Sequence, residues 1–361
     1  MRNKLIFFAS SLGGGGAEMH MLRLANYLSK EHEIIIAVAR PYGKYEYKLK
    51  SNIRLVYLTK NINSSTLSLI VALFQLRKLI ISIKPKSVHS FMEGPNIILL
   101  LSIFDRLAKV KTVVNVQVSP LQNYNGIGGK IILLMMRYLY PKAWKVVAIS
   151  KAVGNEVELI CKGKIKCLIV YNIGVTEVEK FEHPKNNQET FKLVACGRLT
   201  EQKGFDILLK SIYKLNNKFN LHLTIIGEGP DKHKLENICK KLNLTNVQFT
   251  GYLENPIEEF KKHDLFVLSS RWEGFGNVIV EAMSVGIPVL STNCPHGPNE
   301  IITNNVSGKL VPVGDIEALA NGIYSLKTDK LLLESIGKGG YQRSLDFTDA
   351  KIGSIYNKLL V

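Results

Sequence analysis

Two glutamates and two glycines lie close together in one stretch of the second half of the chain. Glu273 and Glu281 are separated by seven residues. The residues directly after the first glutamate are Gly274, Phe275, Gly276, Asn277 and Val278. Free backbone amides at the start of a helix bind anions such as phosphate, and carboxylates accept hydrogen bonds from hydroxyls. The stretch therefore suits a negatively charged sugar derivative.

The elements that must position this stretch are predicted by its flanking residues. An apolar run at 265–268 has the length and composition of a buried strand, and a helical pattern extends from about Asn277 to Val285. Gly286 ends this helix, and a further strand follows. The unit is a parallel βαβ arrangement, which places Glu273 at the carboxyl end of a strand, where open α/β sheets bind ligands.

The stretch resembles the donor-site signature of retaining glycosyltransferases of family 4, which have the two-domain GT-B fold. The family pattern is a glutamate, seven residues and a second glutamate. The resemblance implies that Glu273 contacts hydroxyls of the transferred sugar and that Glu281 contacts the ribose of the nucleotide. It also makes residues 274–278 part of the donor site.

A second group of donor-site residues follows the strand predicted at 191–197. Arg198 and Lys203 lie in the strand-to-helix turn, where arginine offers a planar fork for phosphate oxygens and lysine a compact charge. The family has the same Gly-Arg-Leu and Lys-Gly spacing. The resemblance implies that both side chains neutralise the diphosphate leaving group, and Glu273, Arg198 and Lys203 are therefore the expected catalytic residues.

Two loops complete the expected donor site. The first strand, at 4–9, is followed by a glycine-rich run that includes Gly15 and Gly16, and resembles the Gly-Gly-Ala-Glu that opens many family members. In the family this loop faces the donor diphosphate across the interdomain cleft. Tyr252 and Leu253 follow the strand predicted at 247–251, in the position where family members bind the base through backbone atoms.

The length of 361 residues favours two domains. Alternating strands and helices predict two doubly wound, Rossmann-like domains of the GT-B fold, facing across a cleft. We expect an acceptor-binding domain at 1–175, a linker at 176–190, a donor-binding domain at 191–345, and a C-terminal helix at 346–361 that returns to the first domain.

Candidate acceptor residues lie after two strands of the first domain. Glu93 follows the strand predicted at 87–91, and a helix is predicted from Ile97 to Ala108. Gln117 occupies the position, near the end of the next strand, where many family members carry a histidine beside the donor sugar, so it is a candidate contact for either sugar. Glutamine donates and accepts hydrogen bonds but cannot take up a proton, so a binding role is expected and a proton shuttle is not.

The net charge of +17 is unevenly distributed. Residues 1–180 contain 26 Lys and Arg against 10 Asp and Glu, a net +16, whereas residues 181–361 contain 21 against 20, a net +1. The segment 129–144 combines apolar residues with interleaved basic ones. It is either part of the core or an amphipathic segment on an anionic membrane surface.

Composition and motifs limit the other function classes. No apolar run is long enough to cross a bilayer, and no signal peptide is evident. The five cysteines include no Cys-x-x-Cys pair, which favours a reducing compartment. We therefore expect a cytoplasmic protein on the inner face of the membrane. There is no Asp-x-Asp metal motif, so neither a catalytic metal nor a cofactor is expected, and no nucleic-acid module is found.

The resulting hypothesis is a retaining transferase that moves a hexose or N-acetylhexosamine from a UDP-sugar to a glycan, expected to be polyprenyl-diphosphate-linked. Its products would be surface polysaccharides or glycoprotein glycans. Two alternatives remain. A nucleotide-sugar epimerase shares the GT-B fold and needs no acceptor, and a non-catalytic polyanion-binding protein would use the basic half.

Overall fold

The computed structural model describes residues 2–13, 15–41, 43, 45–59, 65–103, 110–176 and 189–360. Within these ranges the chain divides into two compact units. The first unit contains the chain up to Thr176 and again from Asp349, and the second unit ends at Thr348. Residues 177–188 of the expected linker lie outside the described part of the chain.

The first unit is built on a sheet of seven parallel strands. The strands are β1 (Lys4–Ala9), β2 (Glu33–Val38), β3 (Arg54–Tyr57), β4 (Ser87–Phe91), β5 (Lys111–Val116), β6 (Lys145–Ala148) and β7 (Leu168–Ile169). Their order is β3-β2-β1-β4-β5-β6-β7. The order therefore reverses between β1 and β4, and such a reversal is where open α/β sheets bind ligands.

Helices cover the sheet of the first unit. They are α1 (Gly16–Leu28), α2 (Ser65–Ile83), α3 (Glu93–Ser102), α4 (Pro120–Asn123), α5 (Gly126–Leu139) and α6 (Lys151–Ile160). Ser150 caps α6, because its hydroxyl accepts a hydrogen bond from the Val153 amide at 3.2 Å.

The prediction of a helix at 97–108 was wrong at its start, because α3 begins at Glu93. Gly94 and Pro95 read as helix breakers, but a proline in the first turn costs no intrahelical hydrogen bond. Glu93 is therefore part of a helical first turn rather than of a free loop. Residues 104–108 of the predicted helix lie outside the described residues.

The second unit contains a sheet of six parallel strands. They are β8 (Phe191–Cys196), β9 (Leu221–Ile226), β10 (Val247–Gly251), β11 (Leu265–Leu268), β12 (Val289–Thr292) and β13 (Lys309–Val311). Their order is β10-β9-β8-β11-β12-β13, which reverses between β8 and β11. Strands β11 and β12 are buried along their whole length, as in other helix-covered parallel sheets, whereas the edge strand β10 is partly exposed.

Seven helices with described bounds pack on the second sheet. They are α7 (Phe205–Leu215), α8 (Lys232–Lys241), α9 (Ile257–Phe260), α10 (Asn277–Ser284), α11 (Pro298–Ile301), α12 (Ile316–Thr328) and α13 (Lys330–Ser344). No helix is predicted by sequence for the segment that forms α13. The glycines of this segment are typical of loops, but here they allow close packing: a Cβ on Gly339 would lie 1.9 Å from the Val306 carbonyl oxygen.

The last helix, α14 (Asp349–Leu360), belongs to the first unit and packs against α1. Tyr356 is fully buried there, and its hydroxyl donates a hydrogen bond to Oδ1 of Asn115 at 2.7 Å. A second contact joins Nε2 of His32 to Oδ1 of Asn357 at 2.7 Å. The helix therefore fills part of the core of the first unit.

The segment for which sequence left two alternatives forms α5, and it has two apolar faces. Met136 and Leu139 are buried, whereas the side chains one turn apart on the other face are exposed. That exposed stripe consists of Ile127 (82% exposed), Ile131 (54%), Leu134 (51%) and Tyr138 (57%). Within the described ranges, every helix is too short or too polar to traverse a bilayer.

Candidate functional site

The site in the second unit forms where the strand order reverses, at the carboxyl ends of β8 and β11. The loop after β8 contains the turn Glu201–Lys203 and leads into α7, while the loop after β11 leads into α10. Loops that leave adjacent strands in opposite directions open a crevice at the sheet edge. The residues expected to be catalytic, Arg198, Lys203 and Glu273, lie in these two loops.

Glu273 and Lys203 are in direct contact. Nζ of Lys203 donates to Oε1 of Glu273 at 2.5 Å, and Oγ of Ser270 donates to the same oxygen at 2.6 Å. The side chains of Lys203 and Glu273 are only 16% and 7% exposed. The two loops therefore meet through a largely buried ion pair, which orients the carboxylate and the ammonium group.

Further contacts fasten the two loops to each other. The guanidinium of Arg271 binds both carboxylate oxygens of Asp206, at 2.9 and 2.8 Å. Nε2 of Gln202 donates to the Trp272 carbonyl oxygen at 2.9 Å. Burial would raise the pKa of Asp206, but the hydrogen bonds from Arg271 outweigh it, and the pKa is lowered. The carboxylate is therefore ionised and holds the Glu273 loop on the first turn of α7.

Gly204 is required for this approach of the two loops. Its φ is +61°, and a Cβ at this position would lie 2.1 Å from the Ser269 carbonyl oxygen. The hydroxyl of Ser269 in turn donates to the Lys203 carbonyl oxygen at 2.9 Å. A side chain larger than hydrogen would therefore push apart the loops that carry Lys203 and Glu273.

The start of α10 presents backbone amides beside the ion pair. Gly276 is the N-cap residue, with φ +99°, and it has no side chain that could occupy the amides of the first turn. Phe275 is buried and packs edge-on against Phe347, with ring centroids 5.4 Å apart. The packing holds the turn in place, and the amides of Asn277 and Val278 are suited to an anion.

Glu281 lies in the same helix, within electrostatic reach of the end of β8. Burial and the nearby Glu281 carboxylate raise the pKa of Cys196 to about 12, and Lys203 counteracts this rise. Burial and Glu273 likewise raise the pKa of Cys294 to about 12. Both thiols are therefore protonated near neutral pH and are poor nucleophiles. The structure thus brings Lys203 and Glu273 into contact, and Lys203 and Glu281 both act on the Cys196 thiol.

The other expected donor residues lie farther from this cluster or outside its unit. Arg198 is exposed at the end of β8, and within the described residues its guanidinium has no ion pair or side-chain hydrogen bond. Tyr252 and Leu253 follow β10, two strands away from β8. Gly15 and Gly16 lie in the first unit, at the start of α1, where Gly15 is the N-cap residue.

The candidate acceptor residues of the first unit are both buried. Glu93 is fully buried, and its Oε2 accepts a hydrogen bond from the Tyr124 hydroxyl at 2.9 Å. Burial raises the pKa of Glu93 to about 7. Gln117 is 5% exposed. By contrast, His89 has a structural role, since its Nε2 and the Ser87 hydroxyl form a hydrogen bond of 3.0 Å within β4.

Several residues of these sites were missed by the sequence analysis. Ser270 directly follows β11 and could have been found by its place at the sheet edge. Tyr124, Asp206 and Arg271 gave no local signal of their contacts, because their partners are 31 and 65 residues away. Such pairs become visible only when the fold brings distant loops together.

Family models match almost the whole chain. The model described as "Glycosyl transferases group 1" matches residues 176–343, and the model described as "Glycosyltransferase Family 4" matches residues 14–172. The first match contains the loops of the Lys203–Glu273 pair, and the second contains Glu93 and Gln117.

Three similar proteins illustrate the relationship. An uncharacterized glycosyltransferase of Methanocaldococcus jannaschii is 34% identical, over 66% of this chain and 63% of that protein. The N-acetylgalactosamine-N,N'-diacetylbacillosaminyl-diphospho-undecaprenol 4-alpha-N-acetylgalactosaminyltransferase of Campylobacter jejuni is 27% identical over 97% of each chain. The structure of Anabaena HepE in complex with UDP and glucose superposes with a TM-score of 0.82, covering 99% of each chain at 18% identity.

These matches agree with the two parallel sheets and with the fold expected from the sequence. The HepE likeness concerns the fold alone, whereas the two family models concern the sequence along both units. The protein therefore belongs to the family 4, group 1 glycosyltransferases and has the GT-B fold.

Proposed function

We propose that the protein is a retaining glycosyltransferase that transfers a hexose or N-acetylhexosamine from a UDP-sugar to a lipid-linked glycan. The observation that carries this proposal is the contact between Lys203 and Glu273, which joins the loops that lead into α7 and α10. A cation near the start of a helix suits a diphosphate, and a fixed carboxylate suits the hydroxyls of a hexose. Glu281, which lies farther along α10, is assigned to the ribose of the nucleotide.

The chemical step separates an anionic diphosphate from a sugar that becomes oxocarbenium-like. Lys203, the exposed Arg198 and the first amides of α10 would stabilise the charge that develops on the leaving group. Such preoriented donors usually make the largest catalytic contribution. The departing phosphate takes the proton of the acceptor hydroxyl, so the proposed mechanism requires neither a protein base at Gln117 nor a metal ion.

A structural neighbour and a sequence relative support the choice of donor and acceptor. The HepE structure contains UDP and glucose, and the Campylobacter enzyme is named as an N-acetylgalactosaminyltransferase acting on a diphospho-undecaprenol glycan. The sequence relative matches along nearly the whole of both chains. We therefore assign a UDP-linked donor and a polyprenyl-diphosphate-linked acceptor to this protein, in the synthesis of a surface polysaccharide or glycoprotein glycan.

The exposed stripe of α5 supports a location at an anionic membrane surface. Its four apolar side chains accompany the exposed Lys130 and the partly exposed Arg137. Beyond the helix, Trp144 is stacked by Lys111 and Lys145, whose ammonium groups lie 4.5 and 5.7 Å from its ring centre. Apolar and basic groups on one surface suit lipid headgroups above acyl chains. We propose that α5 lies on the inner face of the cytoplasmic membrane.

A donor screen tests the proposed function. UDP-sugars and GDP-sugars are incubated with the protein, with and without polyprenyl-diphosphate sugars and in the presence of EDTA, and the released nucleotide is measured. We expect release of UDP that depends on the acceptor and persists in EDTA, and thermal protection by UDP-sugars only. Protection by GDP-sugars alone would overturn the assigned donor. Conversion of the donor to an epimer without acceptor would favour the epimerase alternative.

A further inference from the structure

An arginine near the end of α13 contacts the short helix α11. Nε of Arg343 donates a hydrogen bond to the Ile301 carbonyl oxygen at 3.0 Å, and its Nη2 donates to the Glu300 carbonyl oxygen at 2.8 Å. The last carbonyl groups of a helix have no partners within the helix, and a basic side chain can satisfy them. Arg343 therefore fixes the carboxyl end of α11.

The guanidinium group of Arg343 also contacts the turn Leu345–Phe347, which follows α13. Its Nη1 donates to Oδ2 of Asp346 at 2.7 Å, and its central carbon lies 4.7 Å from the ring centre of Phe347. A cation over the face of an aromatic ring is attracted by that ring. Phe347 is fully buried, so the arginine helps to hold this ring in one position.

Both elements that Arg343 holds pack against the turn 273–276. The ring of Phe347 lies edge-on to that of Phe275, with the ring centres 5.4 Å apart. On the side of α11, the backbone is so close that a Cβ on Gly297, the N-cap residue, would lie 2.0 Å from the Phe275 carbonyl oxygen. The Glu273 amide donates to the Pro295 carbonyl oxygen at 3.3 Å. The turn is therefore held from two sides, and both lead to Arg343.

We propose that Arg343 is a positioning residue for the sugar-nucleotide donor, which acts through α11 and Phe347 on the turn 273–276. This inference rests on the proposed function, in which Glu273 binds hydroxyls of the hexose. Lys203 and Ser270 hold the carboxylate of Glu273. Arg343 instead fixes the backbone from which that side chain extends, so its loss should weaken donor binding without removing a group that touches the donor.

The variant Arg343→Met tests this role against a control in the same helix. Asp329→Ala removes the cap at the start of α13, where Oδ1 of Asp329 accepts a hydrogen bond from the Leu332 amide at 2.9 Å. Both variants should lower the melting temperature. In assays well below both melting temperatures, the KM for a UDP-sugar should rise about tenfold in Arg343→Met and stay within about twofold of wild type in Asp329→Ala.

The KM for the acceptor, measured at saturating UDP-sugar, should stay at the wild-type value in both variants. A purely structural role would not separate the two substrates in this way. Equal donor KM values in the two variants would overturn the proposal. An acceptor KM that rises as much as the donor KM in Arg343→Met would do the same.

The variant Arg343→Lys separates the geometry of the side chain from its charge. Lysine keeps the positive charge on a side chain of similar length, so this variant is the least disruptive to folding. An ammonium group has no planar fork and cannot bond both α11 carbonyl groups with the geometry of arginine. The donor KM should therefore lie between those of wild type and Arg343→Met. A wild-type donor KM in Arg343→Lys would contradict the positioning role, because charge alone would then be sufficient.

Hydrogen exchange distinguishes a failure of this inference from a failure of the proposed function. Without substrate, the amides of residues 273–279 should exchange faster in Arg343→Met than in wild type, and at the wild-type rate in Asp329→Ala, because exchange reports local opening. Unchanged exchange in Arg343→Met would refute the inference. If wild-type protein released UDP from no donor, the proposed function would fail, and exchange would still decide whether Arg343 holds the turn.

Discussion

Lys203 has two roles in the structure, and they have opposite consequences for mutagenesis. It neutralises the largely buried carboxylate of Glu273, which is a contribution to stability, and it is the cation proposed to bind the leaving group, which is a contribution to catalysis. A single substitution of Lys203 changes both properties at once. The two roles can be separated only by changing both partners.

A pair of variants is expected to separate them. Lys203→Met leaves the Glu273 carboxylate buried without its cation, which should cost about 3 kcal/mol of unfolding free energy. Adding Glu273→Gln removes that charge and should restore most of the stability, measured by thermal melts. Sugar transfer, measured by released UDP, should remain at least about a hundredfold below wild type in both variants, since a leaving-group partner is lost.

Two results would contradict this interpretation. A double variant that transfers sugar at the wild-type rate would show that neither side chain contacts the donor. A double variant no more stable than Lys203→Met would show that the ion pair is not what makes the single substitution destabilising. Arg271→Lys, which changes a different ion pair of the same loops, serves as a comparison for general loosening.

The protonation of Glu93 predicts a pH dependence of stability. Its pKa is about 7 in the folded protein, against an ordinary value of 4.5. The folded state therefore retains a proton that the unfolded chain has lost, so the contribution of Glu93 to stability decreases as pH rises from about 4.5 to about 7 and is then constant. Glu93→Gln does not titrate, and its melting temperature should gain on wild type across this window. If the melting temperatures of wild type and Glu93→Gln differed by the same amount at every pH between 5 and 8.5, the prediction would be contradicted.

At the scale of elements, the sequence predicted those parts of the fold whose signals are local. The βαβ unit around Glu273 is an apolar run, a glycine turn and a periodic helix within about 25 residues, and β11, α10 and β12 are all observed. Helix α13 could not be predicted in this way. Its glycines lower helix propensity, and they are compensated by the close approach of the Gly286 and Val306 carbonyl oxygens, which lie far away in the sequence.

The contacts within the candidate sites could not be predicted from local sequence signals either. The residue types of Glu273 and Lys203 were predictable from motif spacing, but their ion pair was not, because 70 residues separate them. The burial of Glu93 was not predictable either, since it depends on where α3 begins and on the hydroxyl of Tyr124. Local patterns predict which loop carries a residue, whereas contacts between loops depend on the assembled sheet.

A substitution at Gly204 tests whether the two loops of the second unit must touch. In Gly204→Ala the new Cβ meets the Ser269 carbonyl oxygen, so we expect reduced stability and loss of sugar transfer. The matched control is Gly314→Ala, because Gly314 has a similar positive φ, +76°, with open space around its Cβ position. The control should lose only about 1 kcal/mol and keep its activity. Equal effects in thermal melts and transfer assays would show that backbone conformation alone matters.

At the scale of the whole molecule, the excess positive charge and the exposed apolar stripe are both in the N-terminal half. Residues 1–180 carry a net charge of +16, counted as 26 basic and 10 acidic side chains. The stripe on α5 adds apolar area that no described residue covers. Charge attracts a protein to an anionic surface over nanometres, whereas apolar side chains hold it there after contact.

Vesicle binding should therefore depend on both features. The variant Ile131→Glu/Leu134→Glu should bind vesicles of anionic lipid at least tenfold more weakly than wild type in a co-sedimentation assay. Wild-type binding should decrease with added salt, and vesicles of neutral lipid should bind weakly. The control is Leu331→Glu, because Leu331 is 81% exposed on the second unit. Equal weakening by the control would show that α5 has no special role.

The placement of α14 has a consequence for how the protein is made. The first unit lacks its Tyr356 side chain, and Asn115 lacks the hydroxyl donor, until residues that follow the entire second unit have left the ribosome. The second unit is one continuous segment and can close as soon as it is synthesised. During translation the second unit can therefore complete its fold before the first unit does. Until then the first unit remains partly open and strongly cationic.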